Sequence, residues 1–138
     1  TDETDSFAYS NNHSGGLLSF NLDGSLRYFR EHLNPKPFLG TVAETLEDGT
    51  PVWRLDQDPE VPTSQHFPIN VWDSIFYENV TNVPETEVIE VDAYDYANGD
   101  YRYTLRFDTE NTCGAIFVTA QHVYANCVDI GFVQLKRS

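Results

Sequence analysis

The stretch EVIEVDAYDYANGDYRYTLRF constrains the fold most, because two runs of alternating polar and apolar residues flank a Gly-containing turn. Alternation with a period of two places successive side chains on opposite faces of a β-strand. A three-residue loop at 97–99 would set Ile89 opposite Phe107 and Glu90 opposite Arg106. A two-residue turn would instead set apolar residues beside carboxylates. We therefore predict a hairpin with the three-residue loop.

A second hairpin is predicted in TVAETLEDGTPVWRLD. The dipeptide Asp48-Gly49 suits a two-residue turn in which φ is positive. That turn would place Val42 opposite Leu55 and Glu44 opposite Trp53. The apolar residues would then share one face, so pattern and turn chemistry agree.

One helix is predicted early in the chain. Leu26, Phe29 and Leu33 recur at i, i+3 and i+7, which is typical of one helical stripe. A polar residue at 23 or 25 can cap its start. The pair Asn34-Pro35 ends it, because the residue before proline avoids the α region.

The remaining segments favour strands separated by polar loops. Short strands are predicted at 7–9, 17–20 and 66–71, with two more in CGAIFVTAQ and CVDIGFVQL around a turn at 122–126. The stretch YENVTNVPE is interpreted as a loop. The prediction is a single domain over residues 1–138, with 1–6 a disordered tail. Its class is α+β, with one N-terminal helix packed on a twisted antiparallel β-sheet.

The net charge of −14 excludes some classes of partner. Nucleic acids are bound through basic patches, so DNA is not expected and RNA is disfavoured. No run of about 18 apolar residues is present, so no membrane span is expected. Two explanations of the charge stay open, a protein of salty surroundings or an ordinary acidic secreted protein.

Two cysteines and two sequons bear on the compartment. Cys113 and Cys127 fit no zinc or redox motif, which leaves a disulfide or two buried thiols. Asn12 and Asn79 head N-glycosylation sequons. The opening TDETDS, without an initiator Met, is how a mature secreted chain begins. We therefore expect a secreted, extracellular protein.

Metal, cofactor and nucleophile sites are not predicted. The four histidines lie on a predicted tail, helix, strand and turn, and no two form a short-spaced ligand pair. No phosphate-binding glycine loop or serine elbow is present. A triad of Cys113, His122 and Asp129 has no local support.

His66 is the residue that raises a functional question, because it directly precedes Phe-Pro-Ile. With carboxylate and guanidinium groups on nearby strands it could belong to an acid/base site, or it could be an ordinary strand residue. The tyrosines of 94–103 could form a stacking face or pack across strands. The candidate binding residues are His66, Glu90, Tyr94, Arg102, Tyr103 and Arg106.

The order of these pieces resembles the fungal guanyl-preferring ribonucleases, and most of all the ribonuclease-like effectors secreted by plant-pathogenic fungi. The resemblance rests on His66 before Phe67-Pro68-Ile69, on Arg102, on 114–117 leading to Val118, and on Cys127 near Phe132-Val133. It implies that His66 stands where the active enzymes have a catalytic Glu, and that Val118 replaces their catalytic His. The N-terminal Cys of that family is missing near 7–10, and the hairpin at 90–100 looks like an insertion.

The expected function is that of a secreted, non-catalytic binding protein, a pseudo-ribonuclease effector that engages a host protein or RNA. Ribonuclease activity is not expected, because an apolar Val118 cannot donate a proton to a leaving oxygen. A protein partner is favoured over RNA on grounds of charge. The alternatives are an acidic β-rich surface domain, as from a high-salt organism, and a hydrolase that uses His66.

Overall fold

The fold is all-β in the part of the chain that the computed structural model describes, which is residues 6–11, 16–32, 41–55, 63–83 and 87–138. The expected α+β class is wrong, because these residues contain no helix. The described residues therefore also contain no helix that could cross a membrane. They form the strands β1 (Ser6–Asn11), β2 (Gly16–Asn21), β3 (Leu26–Glu31), β4 (Thr41–Thr45), β5 (Pro51–Leu55), β6 (Thr63–Trp72), β7 (Ile75–Val83), β8 (Val88–Asp95), β9 (Tyr101–Asp108), β10 (Cys113–Val118), β11 (His122–Cys127) and β12 (Gly131–Lys136).

The strands form four antiparallel sheets. A central sheet of four strands, in the order β6-β7-β8-β9, carries β1-β2-β3 on one face and β10-β11-β12 on the other, while β4 and β5 pair as a separate hairpin. Stacked sheets of this kind bury the apolar face of each layer against the next. Each face of the central sheet therefore packs against a second sheet over part of its area.

The larger core lies between the central sheet and β10–β12. Alternate residues of β8 point into it, among them Ile89 and Val91, which are fully buried. Val118 and Val123 enter from the opposite sheet. A second, mostly aromatic core lies between the central sheet and β1–β3, and it contains Leu17, Tyr28, Phe76, Tyr94 and Tyr96.

The β8–β9 register is confirmed. Ile89 lies opposite Phe107 and Glu90 opposite Arg106. The loop is longer than predicted, because Asp95 hydrogen-bonds to Asp100 around four residues and Gly99 takes a φ of 75°. A bulge after Ala93 compensates for the extra loop residue. The apolar pattern therefore predicted the register of the two strands correctly, although it did not predict the length of the loop between them.

The β4–β5 register is wrong by one residue. Ala43, not Glu44, lies opposite Trp53. Leu46 N–H donates to the Thr50 carbonyl around a three-residue loop that ends at Gly49, whose φ is 85°. In an exposed two-stranded hairpin no core face selects the register, so the turn geometry decides it.

The predicted helix is wrong, because residues 26–31 form β3. Asp23 accepts a hydrogen bond from the Ser25 N–H at 2.9 Å and closes a turn, so it does not cap a helix. A bulge in the β2–β3 pairing then puts Leu26 and Phe29 on the same face of the sheet. A helical spacing of i, i+3 thus arises in a strand. Leu33 and the predicted stop at 34–35 lie outside the described residues.

Two further local predictions are wrong. Most of the stretch interpreted as a loop, YENVTNVPE, belongs to β7, which pairs with β6 on one side and β8 on the other. The predicted turn at 122–126 is β11, and the chain turns at 128–130 instead. Of the predicted disordered tail, residue 6 begins β1 and residues 1–5 lie outside the described part.

Candidate functional site

Three ionisable side chains meet between the β1–β3 sheet and the central sheet. His32 directly follows β3, His66 lies in β6 and Glu78 in β7, and their exposed fractions are 2%, 6% and 0%. His66 lies opposite Val80, two residues from Glu78 on the same face of β7, so the register places the two side by side. Packing of the β1–β3 sheet adds His32. We call these residues the His32–His66–Glu78 cluster.

The polar atoms of the cluster are close together. Glu78 Oε2 lies 3.3 Å from His32 Nε2 and 3.5 Å from His66 Nδ1. The two imidazole rings stack, with centroids 3.8 Å apart and planes 16° apart. Ser10 Oγ, from β1, lies 3.5 Å from His32 Nε2. The side chains thus converge from both sheets.

The electrostatics of the cluster keep Glu78 ionised. Burial raises the pKa of Glu78, but the contacts with His32 and His66 outweigh it and bring that pKa to about 2. Asp92 lies opposite Glu78 in β8, and its pKa is raised, mainly by burial and also by the negative charge of Glu78. Two acidic groups therefore lie close together in a buried region.

The hydrogen-bonding capacity of this cluster is not used up. Among the described residues, His32 Nδ1 and both carboxylate oxygens of Glu78 have no partner with hydrogen-bond geometry. The approaches of Glu78 Oε2 to the two imidazoles, at 3.3 and 3.5 Å, therefore do not have hydrogen-bond geometry. Burying an ionised carboxylate without hydrogen bonds costs on the order of several kcal/mol of folding free energy. The cluster can accept a further binding group.

The cluster does not have the geometry of a hydrolytic triad. In a triad, the nucleophile contacts one imidazole nitrogen and the acid contacts the other. Here Ser10 Oγ and Glu78 Oε2 both approach Nε2 of His32. His32 therefore cannot pass a proton between them in the manner of a general base.

The other candidate binding residues are not members of the cluster. Arg102 pairs with Asp95 near the β8–β9 loop, and Arg106 pairs with Glu90 at 3.2 Å on the exposed surface. Tyr94 is buried in the aromatic core. The tyrosines of 94–103 pack across strands and against the core more than they form a stacking face.

Tyr103 has a structural partner in the C-terminal segment. Its hydroxyl lies 3.0 Å from that of Tyr77 and accepts a hydrogen bond from Arg137 at 2.8 Å. Burial is the main reason that the pKa of Tyr77 rises to about 12. Of the six candidate binding residues, His66 is the member of the cluster.

The structure places the cysteines and the second sequon as follows. A disulfide joins Cys113 to Cys127, which lie opposite each other in β10 and β11, so Cys113 cannot serve as a nucleophile. Asn79 is buried; its side-chain oxygen accepts the Ala115 N–H and its nitrogen donates to Thr81. A glycan on Asn79 would require these bonds to break. Asn12 lies outside the described residues.

The sequence patterns missed His32 and Glu78. His32 was assigned to a helix and Glu78 to a loop, so neither was expected beside His66. One usable signal was present: Glu78 alternates with Phe76 and Val80, which makes it a lone carboxylate on an otherwise apolar strand face. A buried carboxylate of this kind requires a partner.

A second feature is an exposed apolar surface on the outer side of the β1–β3 sheet. Direct pairing puts its members on one face, and the Phe7 and Phe20 rings stack with centroids 5.3 Å apart. We call this surface the apolar face; it consists of Phe7, Tyr9, Leu18, Phe20, Leu26 and Phe29, of which four are exposed. The charged residues on these three strands are Arg27, Arg30 and Glu31.

Comparison of the chain with protein-family models, with curated proteins and with solved structures finds no match in any of the three. The function is therefore argued from the chemistry of the described residues.

Proposed function

We propose that this chain is a non-catalytic binding domain that engages another protein through the apolar face. The observation that carries the proposal is an exposed, mostly aromatic surface, with Glu31 at its edge, on a chain whose net charge is −14. The centres of protein interfaces are depleted in charge and enriched in aromatic residues. Exposed apolar patches rimmed by polar residues commonly mark interaction sites.

Charge favours a different protein as the partner over a second copy of this chain. Two copies, each with a charge of −14, repel one another. A partner with an apolar centre and a basic rim complements both the apolar face and the acidic surroundings. The same charge disfavours RNA and anionic lipid. Secretion is part of the proposal, supported by the disulfide, since such bonds persist in oxidising compartments.

The ribonuclease resemblance adds nothing to this proposal. It implies a helix packed on the sheet, and residues 26–31, where that helix was predicted, form a strand. We expect no cleavage of single-stranded RNA between pH 5 and 8, because Val118 is buried in the core and the cluster lacks a proton relay. A gel assay checks this. Cleavage that disappears in His66→Ala would make His66 catalytic and contradict the proposal.

The proposed interface is tested by a double substitution, Phe7→Ser with Phe29→Ser. Interacting proteins are recovered from the native source on the immobilised chain, and a recovered protein is then purified for measurement of Kd. We expect the double variant to bind about 30-fold more weakly or worse, because an aromatic hot-spot residue contributes about 2 kcal/mol or more. Hydrogen exchange of the complex should show protection in β1–β3.

The matched control is Ile130→Ser with Phe132→Ser, in the β11–β12 hairpin, where Phe132 is 79% exposed. This control should bind as the native chain does. Equal loss in both variants would mean that the apolar face is not specific. Concentration-dependent dimers that the Phe7/Phe29 variant abolishes would replace the heterologous partner with a second copy.

A further inference from the structure

We infer that the His32–His66–Glu78 cluster is a zinc-binding site that joins the β1–β3 sheet to the central sheet. The three residues can each offer one ligand atom, and these atoms all lie within 4.8 Å of one another. The inference goes beyond the proposed function, because it concerns a buried site on the opposite side of the β1–β3 sheet from the apolar face.

Two of the three distances between ligand atoms fit zinc, and the third, between the two imidazole nitrogens, is below 4.8 Å. Zn–N bonds of about 2.0–2.1 Å in a tetrahedron separate neighbouring ligand atoms by about 3.3–3.4 Å. The corresponding separations from Glu78 Oε2 are 3.3 Å to His32 Nε2 and 3.5 Å to His66 Nδ1. Little translation of the strands is therefore required for binding.

The orphaned polar atoms point to a cation. Glu78 is fully buried, and neither of its oxygens has a hydrogen-bond partner among the described residues. A divalent ion would supply the missing contact. Its two positive charges would also balance the negative charges of Glu78 and of Asp92, which lies opposite Glu78. The two imidazoles would then serve as ligands through their ring nitrogens.

The donor set selects the kind of ion. Calcium and magnesium prefer oxygen ligands, whereas two imidazoles with one carboxylate suit zinc and its neighbours in the first transition row. Zinc has no geometric preference from its d electrons and tolerates the irregular setting of a sheet interface. Three protein ligands leave the fourth position of the tetrahedron to a water molecule, and the burial of all three ligands keeps the site away from bulk solvent.

Binding requires one local rearrangement. The two rings are nearly parallel, so their nitrogen lone pairs run side by side and do not meet at one point. An ion between them requires the rings to tilt apart through side-chain rotation. Because His32 directly follows the last strand of the β1–β3 sheet and His66 lies in the central sheet, the ion would then link the two layers.

The test uses the full chain after removal of metal by a chelator, titrated with zinc and, in parallel, with cobalt(II). We expect one ion per chain, a cobalt absorption spectrum typical of tetrahedral coordination, and a melting temperature that rises with zinc. Loss of a residue that only supports a ligand typically weakens metal binding by about 10–100-fold. Glu78→Gln and His66→Gln each remove a ligand, so each should weaken zinc binding by more than that. The control His122→Gln, from β11, should bind zinc as the native chain does.

Three results would overturn the inference. The first is no zinc bound by the native chain at micromolar concentration, and the second is equal loss in His122→Gln. The third is an X-ray absorption spectrum of the native zinc complex that shows fewer than two imidazole ligands. This measurement decides the matter where the variants fail to fold, as judged by near-UV circular dichroism. Partner binding by the apolar face is measured separately, so either proposal can fail alone.

Discussion

Replacing Ile89 by Ala is expected to lower the free energy of unfolding by about 2–5 kcal/mol, the range for deletion of a large buried aliphatic side chain. Ile89 is fully buried between the central sheet and β10–β12, and it lies opposite Phe107. The loss combines the transfer of the deleted carbons with the cavity that remains. Equilibrium unfolding in urea, followed by fluorescence, measures the change.

The matched control is Ile116→Ala. Ile116 lies in β10 and is 47% exposed, so its truncation should change the free energy of unfolding by no more than about 0.5 kcal/mol. The comparison tests the layered arrangement directly. Similar effects at the two positions would mean that β8 is not buried under the β10–β12 sheet.

Removing the disulfide is expected to destabilise the chain by a similar amount. Cys113 and Cys127 are 14 residues apart, and closing a loop of that length reduces the entropy of the unfolded chain by an amount worth about 3 kcal/mol. The double variant Cys113→Ala with Cys127→Ala should therefore unfold at a lower urea concentration. Its β10–β11 pairing should survive, because the core residues of both strands are unchanged.

Reduction of the native chain provides the control for this experiment. Dithiothreitol should shift the native unfolding midpoint towards that of the double variant and should leave the double variant unaffected. A native chain that shows two free thiols, or a double variant as stable as the native chain, would contradict a bond between these cysteines.

Strand pairing was predicted best from the sequence where the two strands are neighbours along the chain and their apolar residues alternate. In β8 and β9, alternation of apolar residues selects one register, and that register holds even though the loop has four residues instead of three. In β4 and β5 the same reasoning failed by one residue, since both faces are largely exposed and no core penalises a slip. Burial, more than turn chemistry, explains the difference.

The predicted helix failed for a related reason. The spacing of Leu26 and Phe29 fits both a helix and a bulged strand, and intrinsic helix propensity is a weak prior. Pairing with β2 and burial of Tyr28 under the central sheet decide the outcome. Neither contact can be deduced from residues 25–33 alone.

The sequence by itself determined that this chain is strongly acidic, rich in alternating strands and able to form the β8–β9 hairpin, because these properties depend on composition and on neighbours along the chain. Tertiary structure alone decided that His32, His66 and Glu78 meet, and that the apolar face stays exposed. Their positions depend on how separate sheets stack. The free energy of that stacking is summed over both cores, so no local segment encodes it.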